Sequence, residues 1–165
     1  MKGVYLTDND ISEGVSTAFN PGRMEIVSNE PTILLDGAHN PAGMKMLRTT
    51  LKEDFEYDKL ILTIGILEDK DIEKMLSAIV PISDIIVVTK SKNTRACEPN
   101  IIRDKISKFD SSKEVFTHDS IEKAIIHAKL LANKEDIICI SGSLFTVGEA
   151  RSFLLSKSSK KIMEL

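Results

Sequence analysis

The chain has 165 residues, no tryptophan, and only 5% aromatic residues. Its two cysteines, Cys97 and Cys139, lie far apart and form no C-x-x-C pair, and the three histidines show no ligand spacing with them. That pattern predicts no structural metal site. Cys139 stands inside an apolar run and reads as a small core residue. No apolar run reaches the ~20 residues that a bilayer-spanning helix needs, and the N-terminus does not read as a signal peptide. The expected compartment is therefore the cytoplasm, with no membrane partner. A formal net charge of −3 leaves no basic footprint for a nucleic acid. Two phosphate motifs are also missing. There is no G-x-x-x-x-G-K-[ST], so no phosphate loop for a triphosphate. There is no G-x-G-x-x-G, so the fold does not imply a dinucleotide cofactor.

What remains is the composition of an ordinary globular domain, 42% hydrophobic and 28% charged. A chain this long suits one domain and buries about 70% of the surface its unfolded form exposes. Residues 1–20 read as a linker holding a short capped helix over Asp8–Val15, with Asn20-Pro21-Gly22 as turn chemistry. Residues 21–157 form the domain, and 158–165 a frayed Ser/Lys tail. Met24–Val27 and Thr32–Asp36 read as a hairpin. Apolar strands then alternate with helices: strands near 60–64, 84–88, 114–116 and 136–140, and helices near 41–53, 71–79, 99–107, 120–132 and 144–155. Near-continuous apolar strands between helices imply a parallel sheet covered on both faces. The expected fold is a Rossmann-like three-layer α/β domain, a mostly parallel sheet of about six strands with one antiparallel edge strand.

The stretch Leu35-Asp36-Gly37-Ala38-His39-Asn40-Pro41 ends a strand on an acid and opens a helix, with Asn40 as cap and Pro41 in the first turn. In a parallel sheet such turns leave one edge, where ligands bind. Three other turns share that edge: Gly65 to Asp71, Lys90 to Arg95, and Ser141-Gly142-Ser143. Together they offer acids, a histidine, cations and small residues, the make-up of a site for a small polar anion or nucleotide. Arg95 is placed to pair with a carboxylate or phosphate, and the helix after Gly142 to hold an anion on its N–H groups. Each has a plainer reading: Asp36 as a cap, His39 as a hydrogen-bonded surface residue, Gly142 as a tight turn. His118 and His127 are taken as structural.

Five motifs occur in order: Pro21-Gly22-Arg23-Met24-Glu25, Asp36-Gly37-Ala38-His39-Asn40-Pro41, Gly65-Ile66-Leu67-Glu68-Asp69-Lys70-Asp71, Arg95-Ala96 with Pro99, and Gly142-Ser143-Leu144-Phe145-Thr146-Val147-Gly148-Glu149-Ala150-Arg151. In these the chain resembles the C-terminal domain of the folylpolyglutamate synthase/dihydrofolate synthase family, within the Mur ligase superfamily. It departs in one place: Asn20 stands where an aromatic residue precedes P-G-R.

The resemblance implies a Rossmann-like domain that closes over ATP held by an N-terminal phosphate-loop domain. That other domain would carry the Mg²⁺ ligands and most of the folate site. It implies a ligase that joins L-glutamate to a folate or dihydropteroate carboxylate through an acyl phosphate. Arg23 is then the candidate for the ATP phosphates, and Asp36 and His39 for the nucleotide. Arg95 is the candidate for the carboxylate of the incoming amino acid, and Gly142 and Ser143 for its other polar groups. Arg23 and His39 are the catalytic candidates, and this chain is expected to supply no metal ligand. Two other readings stand beside it: a stand-alone module binding a small anion or a protein, and the domain of another Mur-type amino-acid ligase.

Overall fold

A computed structural model describes residues 5–18 and 20–156. The expected tail over 158–165 and the first four residues of the linker lie outside the described residues. Helix α1 (Asp8–Thr17) comes first, with residues 8–14 exposed. Strands β1 (Glu25–Asn29) and β2 (Thr32–Leu35) form the antiparallel hairpin. Then follow α2 (Pro41–Glu53), β3 (Leu60–Ile64), α3 (Ile72–Ile79), β4 (Ile85–Val88), α4 (Pro99–Phe109), β5 (Glu114–Thr117), α5 (Ile121–Leu131), β6 (Ile137–Ser141) and α6 (Leu144–Leu155). Pro81 does not end α3 abruptly, because a 3₁₀ turn over Val80–Ile82 carries the chain one step further. Proline fits there because the first residues of a helical turn need no N–H donor.

The six strands lie in the order β1-β2-β6-β3-β4-β5, all parallel except β1. The strands alternate their side chains between two cores. Leu34, Leu62, Ile64, Ile86, Val88 and Cys139 face α2, α3 and α4, while Ile33, Leu35, Ile61, Val87, Ile138 and Ile140 face α5 and α6. Strand β6 is inserted between β2 and β3, so the chain runs outward along the sheet to β5 and then returns. Right-handed crossovers in opposite directions require helices on opposite faces. The turns after β6 and after its two neighbours therefore lead to opposite faces and open a crevice at that point. Cys139 is fully buried and Cys97 nearly so, and burial pushes both thiols up, which leaves them un-ionised and inert.

His118 and His127 have a partner that the sequence pattern hides. His118, just past β5, and His127, on α5, place Nε2 and Nδ1 2.8 Å apart, and Phe116 packs edge-on against His127. Burial, then the neighbouring His127, pull the His118 imidazole below its ordinary value of 6.5. The folded state therefore prefers this ring neutral, so the unfolded chain binds the proton first, and stability falls as pH drops below 6.5. The melting temperature of the wild type should decline more between pH 7 and pH 5 than that of His118→Asn. Equal declines would remove this pair from the pH response.

Candidate functional site

The turn after β2 is built from its backbone outward. Asn40 caps α2, its Oδ1 accepting from Gly43 N at 2.8 Å, and Pro41 opens the helix. Asp36 is 8% exposed and accepts two backbone N–H groups, Ala38 N at 2.9 Å and Met24 N at 3.1 Å. One carboxylate thus shapes its own turn and ties it to the loop that carries Arg23. Both oxygens accept from the chain, and through Met24 N they help to place Arg23. His39 is half-buried, and its Nδ1–H donates to Gly37 O at 2.8 Å. A carbonyl only accepts, so Nδ1 carries the proton and Nε2 is left as the ring's acceptor.

The Arg23 loop is held tightly around an exposed guanidinium. Arg23 N donates to Asn20 O at 3.1 Å, closing the turn, and Gly37 N donates to Gly22 O at 2.7 Å. A Cβ at Gly37 would lie 2.5 Å from Leu144 and 3.2 Å from Arg23 Nη1, so the bare glycine is what lets the arginine and Leu144 close over this turn. Met24 has φ +47, a left-handed conformation that costs a non-glycine residue about 1 kcal/mol or more. Two acids restrain it. One is Asp36. The other is Glu25, 8% exposed, whose carboxylate accepts Gly22 N at 2.7 Å and Arg151 Nε at 2.9 and 3.0 Å. Removing either partner of a buried ion pair costs about 3 kcal/mol.

Around the crevice the chain makes its closest backbone approach. Gly142 has φ +108, and a Cβ there would fall 2.6 Å from Gly65 O. Gly142 N donates to Ala38 O at 3.1 Å. Thr146 Oγ1 donates to Gly65 O at 3.0 Å, and Ser143 Oγ donates to Thr146 Oγ1 at 2.9 Å while accepting Thr146 N at 3.0 Å. Ser143 is therefore a buried cap of α6, and Gly142 is a packing position. Both of these expected substrate groups are engaged within the protein.

Arg95 sits on the far side of this edge, exposed, with Nη1 3.5 Å from Asp69 Oδ1. Its loop is anchored on the β3–α3 turn, where Glu68 N donates to Arg95 O at 2.8 Å and Cys97 N to Ile66 O at 2.9 Å. The loop's base is closed by Lys90 Nζ on both oxygens of Glu98, at 2.7 and 2.9 Å. Between this loop, the start of α5 and α6 lies an open groove of about 800 Å³, lined by residues that include Lys92, Ser120 and Glu149. Glu149 Oε1 accepts Lys92 N at 2.8 Å. Glu25, Glu149 and Arg151 escaped a residue-by-residue reading, although all three lie inside motifs already singled out. Their pairing across 57 to 126 positions was the missing signal.

Among the described residues no group of three or more His, Cys, Asp or Glu side chains is placed to hold a metal ion, and no helix is long and apolar enough to cross a membrane. The edge presents an exposed Arg23 braced beside His39, and an exposed Arg95 beside the Asp69 carboxylate.

Fold and edge define a Rossmann-like α/β domain with two arginines exposed along one edge. Residues 22–144 match the family described as Mur ligase, glutamate ligase domain, and the chain belongs to that family. It is 34% identical over 142 residues to a probable bifunctional folylpolyglutamate synthase/dihydropteroate synthase of Haloferax volcanii, covering 86% of this chain and 17% of that protein. The fold superposes with TM-score 0.86 on Mycobacterium tuberculosis folylpolyglutamate synthase complexed with ADP and AMPPCP, at 30% identity, covering 92% of this chain and 36% of that one. A bifunctional folylpolyglutamate synthase/dihydrofolate synthase with Mn, AMPPNP and L-glutamate bound is matched with TM-score 0.79 at 26% identity, again over 92% of this chain and 36% of the other. The chain thus spans from about a sixth to about a third of the length of the proteins it matches.

Two glycines give opposite expectations. Gly142→Ala forces a side chain into both a left-handed φ and the Gly65 carbonyl, and should destabilise by more than about 1 kcal/mol. Gly148 lies inside α6 with nothing within 4 Å of a Cβ, so Gly148→Ala should stabilise by about 0.5–1 kcal/mol. Urea unfolding of the two variants checks both signs.

Proposed function

We propose that this chain is the C-terminal half-site of an ATP-dependent glutamate ligase, acting with a phosphate-loop domain to extend a folate or dihydropteroate carboxylate. The observation that carries the reading is the guanidinium of Arg23, exposed at the sheet edge yet seated on Gly37 by a strained, doubly braced loop. Backbone strain held at an exposed cation is a mark of a functional position. The named relatives and the ADP- and glutamate-bound neighbours support the same reading.

When bound, ATP would supply the γ-phosphoryl group that turns the substrate carboxylate into an acyl phosphate, with ADP leaving; the amine of glutamate would then attack the acyl carbonyl, lose a proton and expel inorganic phosphate. Such a transfer gathers negative charge, and positioned cations stabilise it. Arg23 is the cation this chain brings, and Asp36 and Glu25 keep it in place before the ligand arrives. His39 offers Nε2 beside it for a polar group of the nucleotide. Arg95 serves a different ligand. Its pairing with Asp69 is solvent-exposed and long, so an incoming carboxylate competes with it easily. Arg95 thereby matches the carboxylate of glutamate, and closure of this domain over the other excludes the water that would hydrolyse the activated carboxyl. The reading assigns Mg²⁺ to the partner domain and gives this chain none of its ligands.

The test is a coupled ADP-release assay. The 165-residue chain alone should release no ADP, and the chain joined by its phosphate-loop domain should do so only with both folate and glutamate present. Arg23→Ala should lower turnover at least about tenfold, the loss expected for one electrostatic contact to a developing charge. Turnover by the isolated chain, or an Arg23→Ala enzyme as fast as the wild type, would overturn the proposal.

A further inference from the structure

Helix α6 does more than cover the sheet. Ala150 is fully buried against the core, and its two chain neighbours leave the helix on opposite flanks, because successive helical residues are turned by about 100°. Arg151 reaches one flank. Its Nε–H lies between both oxygens of Glu25, at 2.9 and 3.0 Å, and Glu25 in turn holds Gly22 N at 2.7 Å, one residue before Arg23. Glu149 reaches the other flank and accepts Lys92 N at 2.8 Å, three residues before Arg95. From Lys92 the chain enters a local turn in which Asn93 Oδ1 accepts Arg95 N at 2.9 Å and Asn93 O accepts Ala96 N at 3.0 Å. The opposite side of the same loop is already fixed to Ile66 and Glu68 by backbone bonds. Glu149 thus ties this loop to α6 and anchors the segment just ahead of the arginine.

We propose that Glu149 and Arg151 are a divided pair of positioning residues, Arg151 fixing the Arg23 loop through Glu25 and Glu149 fixing the Arg95 loop through the Lys92 N–H. One turn of one rigid helix therefore sets the separation of the two cationic groups. This rests on the reading that Arg23 faces the nucleotide and Arg95 the amino acid. Neither acid nor arginine of the pair touches a ligand. Each acts through the loop that it holds. The Glu149 bond lies at the surface, beside the groove. The core does not depend on it, so its loss should loosen one loop and leave the fold intact.

Two measurements test the division. In the 165-residue chain, Glu149→Ala should speed amide hydrogen exchange across 91–95 with 22–25 still protected and the melting temperature little changed. Glu149→Gln, which keeps an acceptor, should restore most of the protection. In the ligase assembled with its phosphate-loop domain, Glu149→Ala should raise KM for glutamate about five- to tenfold, as expected for a charge-assisted hydrogen bond partly open to solvent, with KM for ATP unchanged. Arg151→Lys, milder than removal of the buried Glu25, should raise KM for ATP and leave KM for glutamate in place. Arg95→Ala is run in parallel. If Arg95→Ala raises KM for glutamate and Glu149→Ala does not, the division is wrong and the site assignment stands. If Arg95→Ala leaves KM for glutamate unchanged, the site assignment itself fails, and the exchange data alone then decide whether α6 braces the two loops. Uniform loosening of both loops by either variant would reduce the pair to general stabilisation and overturn the inference.

Discussion

A parallel sheet buried on both faces must send every strand-to-helix turn out of the same edge, and the rest of this structure follows from that constraint. Helices α2, α3 and α4 cover one face and α5 and α6 the other. Inserting β6 between β2 and β3 brings the Asp36–His39 turn, Gly65 and Gly142 together at the point where the helices diverge. The closeness is possible because side chains are missing there. A Cβ at Gly142, Gly65 or Gly37 would strike a carbonyl, a threonine or a leucine. The edge is thus dense backbone, with the few charged groups it exposes standing out from it.

The buried acids of this edge accept from the backbone. Asp36 accepts Ala38 N and Met24 N, and Glu25 accepts Gly22 N along with Arg151. Charge-assisted hydrogen bonds of this kind are about twice as strong as neutral ones, enough to hold the left-handed Met24 and with it the exposed arginine just before it. The same economy holds at Ser143 and Thr146, whose hydroxyls satisfy one another, the start of α6 and the Gly65 carbonyl. Polar groups that would be costly to bury unpaired here make the scaffold rigid.

The outcome is a one-sided site. Arg23, His39 and Arg95 present cationic and polar groups along one edge, with no phosphate-binding loop in the chain to grip what they face. The chain belongs to the Mur ligase glutamate ligase domain family and covers 17% to 36% of the length of the proteins it matches. Helix α6 is pinned to Glu25 on one flank and to the Lys92 loop on the other.

Much of this was written in the sequence. Apolar runs of strand length alternating with helical periodicity determined a parallel, doubly covered sheet, because burial on both faces leaves no other solution. Asn40-Pro41 and Ser143 marked helix starts, since local capping chemistry is read from neighbouring residues alone. The motifs marked Arg23, His39 and Arg95 as residues at the edge. What local pattern does not encode is which distant groups satisfy one another. Asp36 holds Met24, Ser143 closes its own helix, and His118 meets His127 across β5 and α5. Glu25 and Arg151 stand 126 positions apart and meet only because α6 packs back across β1. Hydrogen-bond partners at such separation are fixed by packing, and packing exists only once the sheet has assembled.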